Sequence, residues 1–314
     1  MFNRYWRSYP WWLQLIQLII LIGVLFAFFV SGIGYVLLTK VAGISLEGIT
    51  EINDASPPDV IQAAFILQVL FSISVFLFSS LLFAYFTHPR PAQYLGLRAP
   101  GKPVQWILVI TLMLGAMPIF LQIETWIKMF NWNSEVIAQQ EKYETSINAM
   151  LNMPDFGAFL KVFIIMALLP AVGEELLFRG IFMRFAAQRN RGIVFPILVS
   201  AVMFAMVHGN VFGGASIFLA GILLAMIYFL TGSIYCSILG HLLNNGLQII
   251  LLYAGRNNAT IQAIEKSEQL PAAVPVVGLV LFLVSLFLLL RHKTPLPRSW
   301  SDDYTKAELS ENAV

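Results

Sequence analysis

Residues 158–179 read AFLKVFIIMALLPAVGEELLFR. The apolar part, about residues 158–178, is long enough to cross the hydrocarbon core of a bilayer, which takes about 20 helical residues. It nevertheless carries Glu174, Glu175 and Arg179 within the span or at its edge. A charge at the bilayer centre costs at least ~2.5–3.5 kcal/mol, and such residues face a bundle interior or a watery cavity. On a helix Glu175 and Arg179 stand i,i+4 and can pair. Glu174 points about 100° away around the wheel and has no partner on its own helix. A structural cap at the end of the span is the plainer account of the Glu175/Arg179 pair, but it leaves Glu174 unexplained.

The rest of the 314 residues has the same character, with 58% hydrophobic and 11% charged, against roughly 25% charged in soluble chains. Eight apolar stretches of spanning character lie near 12–38, 60–86, 104–123, 158–178, 193–208, 214–230, 234–253 and 272–290. The alternating ten-residue pattern of an outer-membrane barrel is absent. The fold class expected is therefore an all-α integral membrane protein, a bundle of about eight transmembrane helices. Its divisions are N-terminal helices and an outer loop (1–157), a helical core (158–255), a last helix with its preceding loop (256–293) and a polar tail (294–314) that reads as loosely attached. The polar segment 128–156 contains a weakly amphipathic stretch, Val136–Leu151, read equally as a surface or cavity-covering helix and as a connector.

Lys and Arg gather in cytoplasmic loops. With the N-terminus inside, the inner segments hold Arg4, Arg7, Arg90, Arg98, Lys102, Arg184, Arg189, Arg191, Arg291, Lys293, Arg298 and Lys306. The outer segments hold fewer cations and most of the acids, including Glu47, Glu51, Asp54, Glu135, Glu141 and Glu144. Both termini are then cytoplasmic, in the cell membrane of a bacterium. The first apolar run is far longer than the 7–15 residues of a signal-peptide core and reads as a retained span. A net charge of +2 without a basic run excludes a nucleic-acid footprint. The single cysteine, Cys236, cannot form an internal disulfide and reads as an apolar filler.

Two of the four histidines, His88 and His292, lie in basic loops. His208 ends the run Phe204-Ala205-Met206-Val207-His208, and His241 shares a helical face with Asn245 by the i,i+4 rule. If 158–178 and 193–208 form a hairpin turning near Asn190 to Gly192, Glu174 and His208 each lie ~25 Å from the turn. His241 lies ~13 Å beyond the turn at Thr231-Gly232-Ser233. All three groups share one layer if Arg184 to Arg191 project out of the membrane. Glycines 173, 209, 213, 214, 221, 240 and 246 beside these groups permit close helix packing.

A carboxylate, two imidazoles and an amide in a protected cavity suit hydrolysis. Glu174 would take a proton from water, and His208 would orient that water or protonate the leaving nitrogen. His241 and Asn245 would donate to a developing oxyanion. Glu174, His208 and His241 also form a two-His-one-carboxylate metal set, so a zinc-assisted and a metal-free glutamate mechanism are both open. No His-Glu-x-x-His motif supplies a metal site from one helix.

Glu174-Glu175-x-x-x-Arg179, Phe204-x-x-x-His208 and His241-x-x-x-Asn245, in this order and spacing, resemble the three signature motifs of the CAAX-protease-and-bacteriocin-processing family of intramembrane peptidases. The resemblance covers about residues 158–255. It implies that Glu174 activates water, that His208, His241 and Asn245 complete the site, and that Glu175, Arg179 and Phe204 support it. It also implies a peptide or membrane-protein substrate met in the lipid, without choosing among prenylated motifs, other peptides and bacteriocin-related roles. A non-catalytic immunity or scaffold protein is the alternative, and an ion- or proton-coupled transporter a weaker one, since no paired interrupted helices mark inverted repeats.

Overall fold

The computed structural model describes residues 5–44, 52–53, 55–189, 192–258, 271–297 and 300. The sequence readings placed on Arg4, Glu47, Glu51, Asp54, Asn190, Arg191, Arg298, Lys306 and the chain after Trp300 lie outside these residues.

The described chain is helical and contains no strand. Seven helices are long and apolar enough to cross a membrane: α1 (Trp11–Val41), α2 (Pro58–Thr87), α3 (Val104–Lys128), α5 (Phe156–Gln188), α7 (Gly214–Thr231), α8 (Ile234–Gly255) and α9 (Ala273–Arg291). Between them lie the polar helix α4 (Ser134–Met150) and the short apolar helix α6 (Val194–Met206). The boundaries follow local chemistry. Asn133 Oδ1 accepts from Val136 N–H at 2.9 Å to start α4, and Asp155 Oδ1 accepts from Ala158 N–H at 2.8 Å to start α5, as N-cap side chains do. Gly232, with φ +64°, ends α7 in the left-handed region, where a side chain would be strained.

Three expectations are corrected. The stretch 193–208 is not an eighth full span: α6 has 13 residues, or ~20 Å of helix. Arg184 is covered by protein rather than by solvent. It is buried in the continuous helix α5, where Nη2 donates to Tyr94 O at 2.7 Å and the guanidinium lies 4.3 Å above the Tyr94 ring. The start of the tail is also held: Thr294 N–H donates to Leu230 O at 2.8 Å and Leu296 N–H to Phe229 O at 3.0 Å. Trp300 then packs edge-on against Tyr228.

The exterior is apolar, as lipid demands, with Val276, Val277, Val280 and Leu283 along the outward face of α9. The interior combines an aromatic and aliphatic core, including Phe76, Phe178, Phe204, Leu224 and Ile227, with a few buried charges. Close backbone approach sets two of the helix contacts. A Cβ on Gly173 would stand 2.9 Å from Phe76 Cβ, so α2 passes directly beside the turn of α5 that carries the carboxylates. On α3 a Cβ at Gly115 would meet Phe282 N at 2.5 Å and Gly278 O at 2.8 Å. Replacing Gly115 by Val should therefore separate α3 from α9 at a cost of about 1–3 kcal/mol. Thermal unfolding in detergent would read this as a lowered midpoint, and an unchanged midpoint would contradict the packing.

Candidate active site

Glu175 is the hub of the buried polar groups. It is inaccessible to solvent, as is Arg179. Its Oε1 accepts from Arg179 Nη1 at 2.7 Å and from His241 Nδ1 at 2.9 Å, while Oε2 accepts from Ser237 Oγ at 2.5 Å. Arg179 is satisfied further by donating from Nη2 to Gly221 O at 2.9 Å, and its guanidinium lies 4.6 Å from the Phe204 ring centroid. The i,i+4 pairing on α5 is present as read, and α7 and α8 close around it. Just beyond the carboxylates, Leu176–Phe182 widens to i→i+5 hydrogen bonding, a local distortion frequent at functional sites. Ser200 Oγ donates to Phe178 O in this segment at 3.1 Å, tying α6 to α5.

Because a carboxylate only accepts, His241 presents Nδ1–H to Glu175. Its tautomer is therefore set, and Nε2 is the atom left for other chemistry. His241 is buried, with its ring 5.4 Å from that of Phe204 in an edge-on arrangement. The other face of this neighbourhood holds His208, whose ring centroid is 4.6 Å from that of Phe204. Phe204 thus separates and supports both imidazoles and the guanidinium.

Glu174 stands apart from the network, as the helical wheel required. It is buried, and its Oε2 has no hydrogen-bond partner. The nearest ionisable contact is His208 Nε2 at 3.8 Å, too long for a hydrogen bond. His208 Nδ1 lies 2.7 Å from Phe204 O. A carbonyl cannot donate, so Nδ1 carries the proton and a neutral His208 turns a bare Nε2 toward Glu174. Two acceptors then face each other 3.8 Å apart. The His208 side chain keeps 26% of its surface accessible, so the interval is reached from outside the core.

A water placed ~2.8 Å from each acceptor would subtend about 85° at its oxygen, about 20° below the angle between its own two O–H bonds and within the tolerance of bent hydrogen bonds. A zinc at ~2.0–2.1 Å from each would subtend about 135°, wide of a tetrahedral site. His241 would have to supply the third ligand, and among the described residues no group of three or more His, Cys, Asp or Glu side chains is placed to hold a metal ion. The donors present do not fit the zinc set suggested by the sequence.

Asn245 lies one turn after His241 on α8, half-buried, with Oδ1 accepting from Asn244 Nδ2 at 3.1 Å. That contact turns the amide oxygen toward Asn244 and leaves the NH2 group on the other side. The motif reading overlooked Ser237, although Ser237, His241 and Asn245 follow one another at i,i+4 intervals on one face. The Gly221 carbonyl had no sequence signal. Helix α4 borders the site beyond His208: Tyr143 hydrogen-bonds the Asn210 side chain, and burial holds its phenol above the ordinary tyrosine range. The Trp132 ring, just before α4, lies 5.7 Å from Phe212.

The bundle and this centre define a multi-pass membrane protein with a buried carboxylate–imidazole site. Residues 156–247 match the family model described as type II CAAX prenyl endopeptidase Rce1-like. The matched segment holds all three motifs, and the family is the CAAX-protease-and-bacteriocin-processing group of proteases to which they pointed. Comparison with curated proteins and with solved structures gives no match.

Because Arg179 neutralises a carboxylate that water cannot reach, Arg179→Leu should destabilise the protein by about 3–5 kcal/mol. Glu174→Gln removes no hydrogen bond at Oε2 and should change stability by less than about 1 kcal/mol. Denaturation of the two variants in one detergent would compare them, and equal losses would contradict the division of labour between the carboxylates.

Proposed function

We propose that the chain is an intramembrane endopeptidase that hydrolyses a peptide bond in a membrane-associated or lipid-modified peptide or protein, using water activated by Glu174. The reading rests on the 3.8 Å interval between Glu174 Oε2 and His208 Nε2. A water there donates one hydrogen to each acceptor and directs its lone pairs outward, toward an incoming carbonyl carbon. Glu174 removes the proton as the oxygen attacks, which is general-base catalysis worth typically 10²–10⁴-fold.

Attack forms a C–O bond and moves the carbonyl π electrons onto oxygen. His241 Nε2–H and the Asn245 NH2 group receive that oxyanion, each donor contributing about 2.7–4 kcal/mol in comparable sites. Since Nδ1–H is already donated to Glu175, His241 acts as a donor only when Nε2 is protonated as well. The resulting imidazolium is balanced by the carboxylates, with Arg179 making the four-group cluster neutral overall. Collapse of the intermediate breaks the C–N bond, and the proton held by Glu174, relayed through His208, passes to the leaving nitrogen. No metal takes part in this sequence.

The catalytic core in this reading is residues 158–255. The end of the bundle bearing Arg90, Arg98, Lys102, Arg291 and Lys293 faces the cytoplasm of a bacterium, with both termini on that side, by the bias of cations to inner loops.

Incubating the purified protein with a membrane-peptide library tests the assignment. We expect cleavage by the wild type, none by Glu174→Ala, partial loss with Glu175→Ala, and no effect of a chelator. Equal cleavage by wild type and Glu174→Ala would remove that residue from the mechanism, and loss on chelation restored by zinc would replace the metal-free sequence. Peptide binding without cleavage by any variant would favour a scaffold.

A further inference from the structure

Ser237 belongs to no motif in the chain, yet its hydroxyl reaches Glu175, the most buried carboxylate among the described residues. It sits one turn before His241 on α8, and both side chains point at Glu175. From a single helix, Ser237 Oγ takes Oε2 at 2.5 Å and His241 Nδ1 takes Oε1 at 2.9 Å. The carboxylate is thereby held at both oxygens. A carboxylate held at one oxygen alone can turn about its terminal torsion, which is broad and roughly two-fold rather than sharply staggered.

We propose that Ser237 is a positioning residue: by fixing Glu175 in the plane that faces His241, it aligns His241 Nε2 with the reacting carbonyl. This rests on the hydrolytic reading of the site, in which His241 touches the oxyanion. Arg179 supplies the countercharge to Glu175, but it binds the same oxygen as His241, so it leaves the far oxygen to Ser237. The hydroxyl also lies 2.9 Å from Leu224 O on α7. It has one hydrogen and two acceptors, and the shorter contact to a charged oxygen takes it, because bonds to ionised acceptors are the stronger. A purely architectural serine would instead spend that hydrogen on Leu224 O, tying α7 to α8 without influence on the imidazole.

The experiment compares Ser237→Ala, Ser237→Thr and Glu174→Ala with the wild type, in the full chain in detergent, using three readouts. Cleavage of a library peptide should show a kcat lowered roughly tenfold to a hundredfold in Ser237→Ala, with KM little changed, a displaced pH profile and substantial recovery in Ser237→Thr. Proton NMR of the ring N–H signals, with His241→Ala for assignment, should show the downfield Nδ1–H resonance of His241 in the wild type. In Ser237→Ala that resonance should shift or broaden by exchange. Thermal midpoints identify architecture: a lowered midpoint in Ser237→Ala with an unaltered pH profile and resonance would overturn the proposal, as would wild-type behaviour on all three. If wild type and Glu174→Ala cleave alike, the hydrolytic reading fails by itself, while the resonance still reports whether Ser237 fixes the imidazole. Should Ser237→Ala fail to fold, Ser237→Gly, which also removes the hydroxyl, carries the same comparison, and a wild-type resonance in it would overturn the proposal.

Discussion

A carboxylate sealed from water inside a lipid-surrounded bundle must be given its hydrogen bonds by protein, and Glu175 receives them from three side chains on two helices. Burying an ion pair is costly even when its geometry is good, and leaving one member unpaired costs several kcal/mol more. The arrangement of α5 and α8 is therefore not free to drift. If α8 slid by one residue, Ser237 and His241 would both rotate away, and the pair on α5 would keep only its internal bond. The same constraint extends to α7, whose Gly221 carbonyl takes a second guanidinium hydrogen. A neutral core of leucines would hold these helices with less specificity, since apolar contacts are not directional.

Against this fixed background the two adjacent glutamates are distinguished by their angle around one helix. Glu175 turns into the network. Glu174, one residue earlier, meets His208 across a gap and keeps Oε2 without a partner. Adjacent residues with opposite fates give one helix both a rigid element and a reactive one. Phe204 makes that economical, since one ring lies against Arg179, His208 and His241. Replacing it by a small residue would leave a void among three polar groups, where water would enter and loosen the electrostatics that the burial sharpens.

Much of this was legible in the sequence because charge in an apolar run is costly and therefore informative. Glu174, Glu175 and Arg179 stood out against residues 158–178, and the 100° step between neighbours separated the paired glutamate from the free one before any coordinates. The juxtaposition of His208 with Glu174 followed from counting residues to a shared turn. Other features were hidden for specific reasons. Ser237 is an ordinary residue in a membrane helix, and its role appears only when a carboxylate from another helix arrives beside it. Arg184 resembled a loop cation because nothing local reveals that Tyr94, 90 residues earlier, supplies both a carbonyl and a ring. The tail looked unattached by composition, yet its backbone fills hydrogen-bonding positions at the end of α7. The length of α6 was overestimated because apolarity runs on to Val207, whereas the helix stops at Met206 and Gly209 turns left-handed.

That short helix also bears on the lipid around it. Val194, Leu198, Val202 and Met206 give α6 an outward apolar flank, but 13 residues reach only ~20 Å, against a hydrocarbon thickness of ~30 Å. Acyl chains next to this flank have to shorten their local span or splay, at a cost of fractions of a kcal/mol per Å of mismatch. A bilayer matched to this flank would be thinned where α6 gives out beside His208. A polypeptide segment resting there would have headgroups and water close to its backbone, which a water-consuming reaction in lipid requires.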